Sequence, residues 1–429
     1  MKSPSRSASL TRPPLGLSVA AFVSTFDRFA VSPMLVLIAL DLGVPLSASV
    51  AAASGYYLAY GLTQPLWGVL SDRFGRVRMM RGALLGAALA GLVSALMPVL
   101  GALVAARVVT GACFGAVIPT GLAYVGDTVR AGVRQRALTD LMSASALGTA
   151  LATGLGGVLA GLLNWRVAVA VPAACALVCA LALRSLPEPA RPGPPGEREP
   201  REPDAGKADG GPAAGRAGVG RPDAGRGVWR SLGMVLGRRW ALLVFALAFT
   251  EGAIMLGGLP FLATALEHVG FGAAVAGLAI TAYGLGLWAF AKLVKRLAGR
   301  WPVPVLMTVG GTQMCAGFAL VSAHVSMATV AVTALLLGGG WSFLHSSLQT
   351  WATSLVPEAR GTTIAFFAAA LFLGSGIASW AAGPLAEDGR YALLFGLAAA
   401  SAIPLTAVSA LTRRRYAALH AARPEPQPE

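Results

Sequence analysis

The chain reads as an all-α integral membrane protein. The expected architecture is twelve transmembrane helices in two pseudo-symmetric six-helix bundles, with the N- and C-termini cytoplasmic. Three observations predict it. Hydrophobic residues make up 55% of the 429 residues and charged residues only 12%, where a soluble domain carries roughly twice that charged share. Apolar runs of about 18 residues or more recur along the chain, the length that crosses a bilayer as a helix. The two halves also look like copies of each other. The tetrapeptide AYGL at 59–62 recurs at 282–285, and the same offset places Arg73 on Arg296 and Asp27 one residue from Glu251.

Lipid offers no hydrogen-bond partner to a backbone N–H or C=O, so each long apolar run must be a helix. Residues 1–14 are a short polar, basic leader. Spans are expected at about 15–40, 50–67, 82–100, 102–125, 137–163 and 167–186, forming a first bundle over 15–186. The first run is too long for a cleavable signal peptide and carries Asp27 and Arg28 in its middle. Residues 187–239 are rich in Pro, Gly, Arg, Asp and Glu, with few large apolar side chains. That composition cannot build a core and predicts a disordered cytoplasmic linker. Six further spans fit at about 240–265, 273–293, 303–323, 328–349, 362–385 and 391–411, a second bundle over 240–411, followed by a basic tail over 412–429.

Charge sets the expected orientation. Alternate connections hold the leader, the stretch at 68–78, Arg130–Arg136, the linker, Lys292–Arg300, Arg360 and the tail. The other set holds only Arg166 and Arg390. The positive-inside rule makes the first set cytoplasmic. Paired six-helix halves are a transporter architecture, with the site between them near the midplane.

Several classes are disfavoured. The net charge of +15 lies in short loops rather than in a stripe with aromatics, which argues against nucleic acid. Cys113, Cys175, Cys179 and Cys315 all fall within apolar runs and read as small buried hydrophobes, without disulfide or metal spacing. No glycine pair is followed by Gly-Lys-Ser/Thr, so a phosphate-binding loop is not expected. No nucleophile pairs with a base and no cofactor motif is evident. The expectation is therefore neither an enzyme nor a cofactor protein.

The connection between the second and third spans is distinctive. It reads GVLSDRFGRVR from Gly68 to Arg78. With twelve spans and a long loop after the sixth, it resembles the signature loop of the major facilitator superfamily, G-x-L-x-D-R-x-G-R. Gly68, Asp72, Arg73, Gly75 and Arg76 match every defining position. Arg107, Gly111 and Gly115 resemble that family's fourth-helix pattern, and PEARGT at 357–362 resembles the start of its eleventh helix. Gly148 and Gly156-Gly157 resemble the exporter motif of the fifth helix, although its central Gly-Pro is Ala152-Thr153 here. The resemblance implies that Asp72 meets the start of the eleventh helix near Arg360, that Arg73 pairs with Asp127, and that these contacts lock the halves together when the outside is open. The bland alternative is that the arginines only set topology.

Asp27 and Glu251 stand mid-membrane in matching helices, where an ionised carboxylate costs roughly 2.5–3.5 kcal/mol on insertion scales. Each is a candidate proton carrier, because desolvation disfavours the charged form. Arg107 is a third candidate for the coupling site, approaching Asp27 from the fourth span; the alternative for both is a structural ion pair, of Asp27 with Arg28 or Arg107. For Glu251 it is simple exposure to the aqueous cavity. Tyr56, Tyr60, Gln64, Trp341 and His345 are candidates for the substrate cavity, with core packing as the alternative. The leading expectation is proton-coupled export, by antiport, of small and fairly apolar molecules across the cytoplasmic membrane by a monomeric carrier. Its partners would be the cargo, protons and the lipid bilayer. Uptake or facilitated diffusion of a polar nutrient, and a non-transporting membrane sensor or scaffold, are the alternatives.

Overall fold

A computed structural model describes residues 12–189 and 233–421. Most of the expected linker, the leader up to residue 11 and residues 422–429 lie outside them. The described residues build twelve long helical rods. The first half holds α1 (Leu15–Leu42), α2 (Ala51–Phe74), α3 (Arg76–Leu96), α4 (Leu100–Thr128), α5 (Ala131–Leu162) and α6 (Trp165–Ser185). The second holds α7 (Arg239–His268), α8 (Ala273–Leu297), α9 (Val303–Ala323), α10 (Met327–Leu355), α11 (Arg360–Glu387) and α12 (Tyr391–Ala421). Eleven rods are long and apolar enough to cross a membrane by length and composition. The remaining one, α2, has 24 residues and is also long enough. Ser54, Tyr56, Tyr57, Tyr60, Thr63 and Gln64 dilute its apolar character.

Local chemistry explains the boundaries and breaks. Pro14, Pro45 and Pro302 each stand just before a first helical residue, where a missing N–H costs nothing. Pro33 turns the middle of α1 into a short 3-10 stretch, Ser32–Met34. Asn164 caps α6 by accepting the Arg166 amide, and Ser326 with Thr329 forms a capping box on α10. The expected tail begins at 412, but α12 continues unbroken to Ala421, because 412–421 holds no glycine or proline to stop it.

The same packing pattern occurs twice. In the first half α1 lies against α5, α2 against α4, and α3 against α6. In the second, α7 lies against α11, α8 against α10, and α9 against α12. Each pair in one half is the copy of a pair in the other. Two further pairs join the halves, α2 with α11 and α5 with α8, and they are also copies of each other. The repeat read from AYGL is therefore a repeat of packing, with two pairs of equivalent helices, α2 with α8 and α5 with α11, forming the seam.

The Gly68–Arg78 connection is a one-residue turn. Gly75 alone separates α2 from α3, at φ +106°. A Cβ there would sit 2.8 Å from the Glu188 carboxylate. That carboxylate accepts the Val77 amide at 3.0 Å and the Arg78 amide at 3.2 Å, so it caps the start of α3. Glu188 belongs to the stretch expected to be disordered linker. Its first residues instead fold back onto the turn, and the Tyr124 hydroxyl donates to the Pro187 carbonyl at 3.4 Å. Gly75→Val should lower stability by about 1–3 kcal/mol, since only glycine holds this conformation without strain. Thermal unfolding of the detergent-purified chain followed by circular dichroism measures this, and an unchanged midpoint would refute it.

Candidate functional site

The ionisable side chains Asp27, Arg107, Glu251 and His345, buried between the helices, form two pairs. In the first half Asp27 on α1 meets Arg107 on α4. An Arg107 Nη donates to Asp27 Oδ1 at 3.0 Å and the other to the Asp27 carbonyl at 3.4 Å. The side chains are 2% and 1% exposed. The Arg107 guanidinium also lies 4.6 Å above the Tyr56 ring, a cation–π contact. Asp27 Oδ2 is buried without a hydrogen-bond partner.

In the second half Glu251 on α7 meets His345 on α10. Nδ1 of His345 lies 3.1 Å from Oε2 of Glu251, whose side chain is fully buried. The His345 ring stacks on Trp341 at 3.7 Å and tilts against Phe367 at 5.5 Å. Residues Trp341–His345 form a single π-helical turn within α10. Such a turn re-aims side chains and often marks a functional position. Glu251 Oε1 has no hydrogen-bond partner. The two pairs occupy equivalent helices, α1 with α4 and α7 with α10. The partner of the acid is an Arg in the first half and, further along the equivalent helix, a His in the second.

The seam between the halves runs past these pairs. At one end of the bundle the halves touch closely. Gly157 and Gly161 of α5 lie against Ala273 and Ala274 at the start of α8. Gly383 at the far end of α11 lies against Ser47, and the Glu387 carboxylate accepts the Ser47 amide at 2.8 Å. Midway, Gly61 of α2 packs on Phe372 of α11, and Tyr60 meets the same ring edge-on at 4.8 Å. Toward the Gly75 turn the contact ends: a Cβ on Gly68 or Gly361 would meet nothing within 4 Å. The halves are thus closed at the end remote from the Gly75 turn and parted at the end that carries it.

The expected gating contacts are redistributed accordingly. Arg73 does not pair with Asp127; its guanidinium lies 5.5 Å over the Phe74 ring. Arg76 takes Asp127 instead, at 3.1 Å, and also binds Asp72 and, at 2.8 Å, the Ser71 hydroxyl. The reason is the one-residue turn. It places Arg76 in the first turn of α3, where its side chain reaches both the end of α2 and the end of α4. Asp72 is 64% exposed and pairs within its own half, and Arg360 makes no ion pair among the described residues. With the halves parted at this end, α2 and the start of α11 are not in reach of each other.

The candidate cavity residues divide. Tyr56 is buried within the first half under Arg107, stacked 6.1 Å from Tyr60. It packs there because α4 has Gly111 beside the Tyr56 carbonyl. Tyr60 stands on the seam. Gln64, one turn along the same face of α2, is half-buried, as is Trp341. His345 is the partner of Glu251, which sequence reading did not pair. Its signal was available: His345 is the one titratable side chain of α10, the helix equivalent to the one that bears Arg107. No three His, Cys, Asp or Glu side chains converge to hold a metal ion among the described residues.

Two bundles repeating one packing pattern, with paired charges between their helices and a seam closed at one end, define a membrane transporter architecture. The chain belongs to the Major Facilitator Superfamily, whose family model matches residues 17–379 and again 257–428. The fold is similar to that of a D-xylose-proton symporter, with a TM-score of 0.70 at 15% identity, covering 93% of this chain and 96% of that one. It is also similar to that of a nucleoside transporter, with a TM-score of 0.71 at 11% identity, covering 93% and 99%. Among curated relatives, a triacylglyceride transporter of Mycolicibacterium smegmatis is 33% identical over 31% of this chain. A puromycin resistance protein of Streptomyces alboniger is 31% identical over 36%. An efflux pump of Dothistroma septosporum is 30% identical over 35%. The matched part spans about a quarter of the triacylglyceride transporter, 24%, and 31% and 26% of the other two.

Two outcomes follow from this geometry. Arg107→Gln should destabilise the chain by about 3–5 kcal/mol, because it strands a buried carboxylate. Adding Asp27→Asn should recover much of that loss, and a double-mutant cycle of unfolding free energies reads the coupling. The second concerns the closed end, where a Cβ on Gly383 would stand 3.4 Å from that of Ser47. A Ser47→Cys, Gly383→Cys pair should therefore cross-link under mild oxidation. Glu387→Ala should cut the cross-linking rate about two- to ten-fold, the worth of one hydrogen bond.

Proposed function

We propose that the chain is a proton-coupled exporter of small, predominantly apolar molecules, with the Gly75 turn on the cytoplasmic side. The observation that carries this reading is the contrast between the two buried pairs. A guanidinium does not give up its proton. The Asp27–Arg107 pair therefore stays neutral overall, and protonating Asp27 would leave a bare cation in a low-dielectric interior. The Glu251–His345 pair has no such fixed charge. A carboxylate and an imidazole are both side chains that can hold an exchangeable proton, so in this reading a proton added to the pair strands no permanent cation. Glu251 with His345 is the proton carrier in this reading. Asp27 with Arg107 holds α1 and α4 in register.

The cycle then has a direct physical form. In the state described, the cavity is open toward the Gly75 turn and cargo enters from that side. Rocking the halves parts the Ser47–Glu387 end and brings the end of α2 to the start of α11. Asp72 then leaves Arg76 for the N-terminal amides of α11 near Arg360, where the helix dipole favours a carboxylate by about 0.3–1 kcal/mol. A proton taken up by the Glu251–His345 pair changes its charge by one and loosens its hold on the surrounding helices. Cargo leaves on the remote side, and the halves return with the proton. The relatives named for efflux and drug resistance, and the glycine pattern of α5 around Gly148, Gly156 and Gly157, support the outward direction. The basic connections on the Gly75 side support a cytoplasmic placement of that face.

Energised inverted membrane vesicles test the proposal with a cargo panel that includes puromycin. Uptake of a panel member should collapse when the pH gradient is dissipated. Glu251→Gln should abolish gradient-driven uptake while leaving exchange of labelled for unlabelled cargo. Asp27→Asn should lower protein yield more than it lowers the dependence on the gradient. A Glu251→Gln, His345→Ala protein that still concentrates cargo against its gradient would overturn proton coupling at this pair. Accumulation in whole cells instead of inverted vesicles would overturn the outward direction.

A further inference from the structure

Arg28 has no carboxylate. It follows Asp27 in the middle of α1, yet Asp27 is taken by Arg107. The Arg28 guanidinium makes no hydrogen bond or ion pair among the described residues, and its Nε is buried without a partner. What surrounds it is aromatic. Its guanidinium carbon lies 4.8 Å from the centre of the Phe29 ring, 4.8 Å from Tyr60 and 5.1 Å from Phe372. Phe29 and Tyr60 belong to the first half and Phe372 to the second, so the cation sits on the seam at mid-membrane. It is half-buried, not sealed. Gln64, one turn further on the face of α2 that carries Tyr60, is half-buried too.

Three ring faces partly compensate a desolvated cation, and they grip a guanidinium without using its N–H groups. An arginine has five such donors in a planar fork that matches a carboxylate or phosphate with two parallel bonds. A fork held by its faces, with its donors unspent and the carrier open toward one side, is a receptor for an oxyanion. The walls around it are rings, which suit an apolar body. We propose that Arg28 binds the anionic group of the cargo, and that the cargo class is an amphipathic anion: an apolar or aromatic body bearing one carboxylate or similar oxyanion. This rests on the exporter reading above and narrows its cargo. It also gives the seam a means to register occupancy. An anion drawing the guanidinium toward itself weakens the contact with Phe372, which is one of the contacts holding the halves in their present arrangement.

The test measures binding to the full-length purified chain, without any gradient, so that its failure is distinct from a failure of proton coupling. The probes are 1-pyrenebutyrate and its uncharged methyl ester, read by fluorescence anisotropy in nanodiscs of neutral lipid. The wild-type chain should bind the carboxylate at least about ten-fold more tightly than the ester, the worth of one charge-assisted bidentate contact. Arg28→Gln should bring the two affinities to within about two-fold by weakening the carboxylate and sparing the ester. Arg28→Lys keeps the charge but loses the fork, and should retain a reduced preference; it decides the matter if the glutamine variant does not fold. Equal wild-type affinities, or a preference that survives Arg28→Gln, would overturn the proposal. Repeating the wild-type measurement in phosphatidylglycerol nanodiscs separates two sources of oxyanion. An unchanged preference supports cargo, whereas its loss assigns the fork to a lipid headgroup and overturns the cargo assignment.

Discussion

Burying charge at mid-membrane is the constraint on which the rest of this structure depends. Each such side chain must be matched within the bundle, because lipid will not match it and water reaches only the cavity. Asp27, Arg107 and Glu251 are buried. Each is held by a partner on a different helix, so every match is also a tie between helices. Asp27 with Arg107 joins α1 to α4, and Glu251 with His345 joins α7 to α10. The cost of an unmatched charge thus adds one cross-tie to each copy of the packing pattern, α1 to α4 in the first half and α7 to α10 in the second.

The ends of the bundle obey a related rule. Carboxylates there sit on backbone amides at the start of chain segments. Glu188 occupies the amides of Val77 and Arg78, and Glu387 occupies that of Ser47 across the seam. Asp72, at the parted end, has no such seat and is held by Arg76. A carboxylate engaged across the seam at the closed end and one disengaged at the open end are the two faces of one arrangement. Both lie on the α2–α11 contact, at opposite ends of the two helices. In the proposed cycle, rocking about the middle of that contact exchanges which end is joined.

Most of this fold was legible in the sequence, and the reason is physical. A bilayer forces each span to declare itself as a long apolar run. Duplication showed in AYGL because α2 and α8 are equivalent seam helices, where close packing restricts the residues allowed. What escaped were contacts that depend on turn geometry. The charge pattern around Gly75 did not say which arginine would reach Asp127, because a single-residue turn decides it. Glu188 was read with the polar linker, since nothing in composition distinguishes a capping carboxylate from a solvated one. His345 was read only as a cavity candidate because its partner is 94 positions away. Only the helix equivalence, not any local motif, brings Glu251 to it.

The two halves therefore share a frame but not a chemistry. The first half fixes its buried acid with a cation that cannot be discharged, and then places a second cation, Arg28, immediately beside it with no acid at all. The second half fixes its acid with an imidazole, a partner whose charge is set by a proton. A symmetric carrier with two Arg-paired acids would have nothing to titrate, and one with two His-paired acids would have no permanent anchor for α1 and α4. The difference between Arg107 and His345 in equivalent helices is what the proposed division between a structural pair and a coupling pair rests on. The aromatic grip on Arg28 by Phe29, Tyr60 and Phe372 then lies between them, where each half supplies part of the wall. A ligand at that point touches both halves at once, and only a group that touches both can bias how they sit against each other.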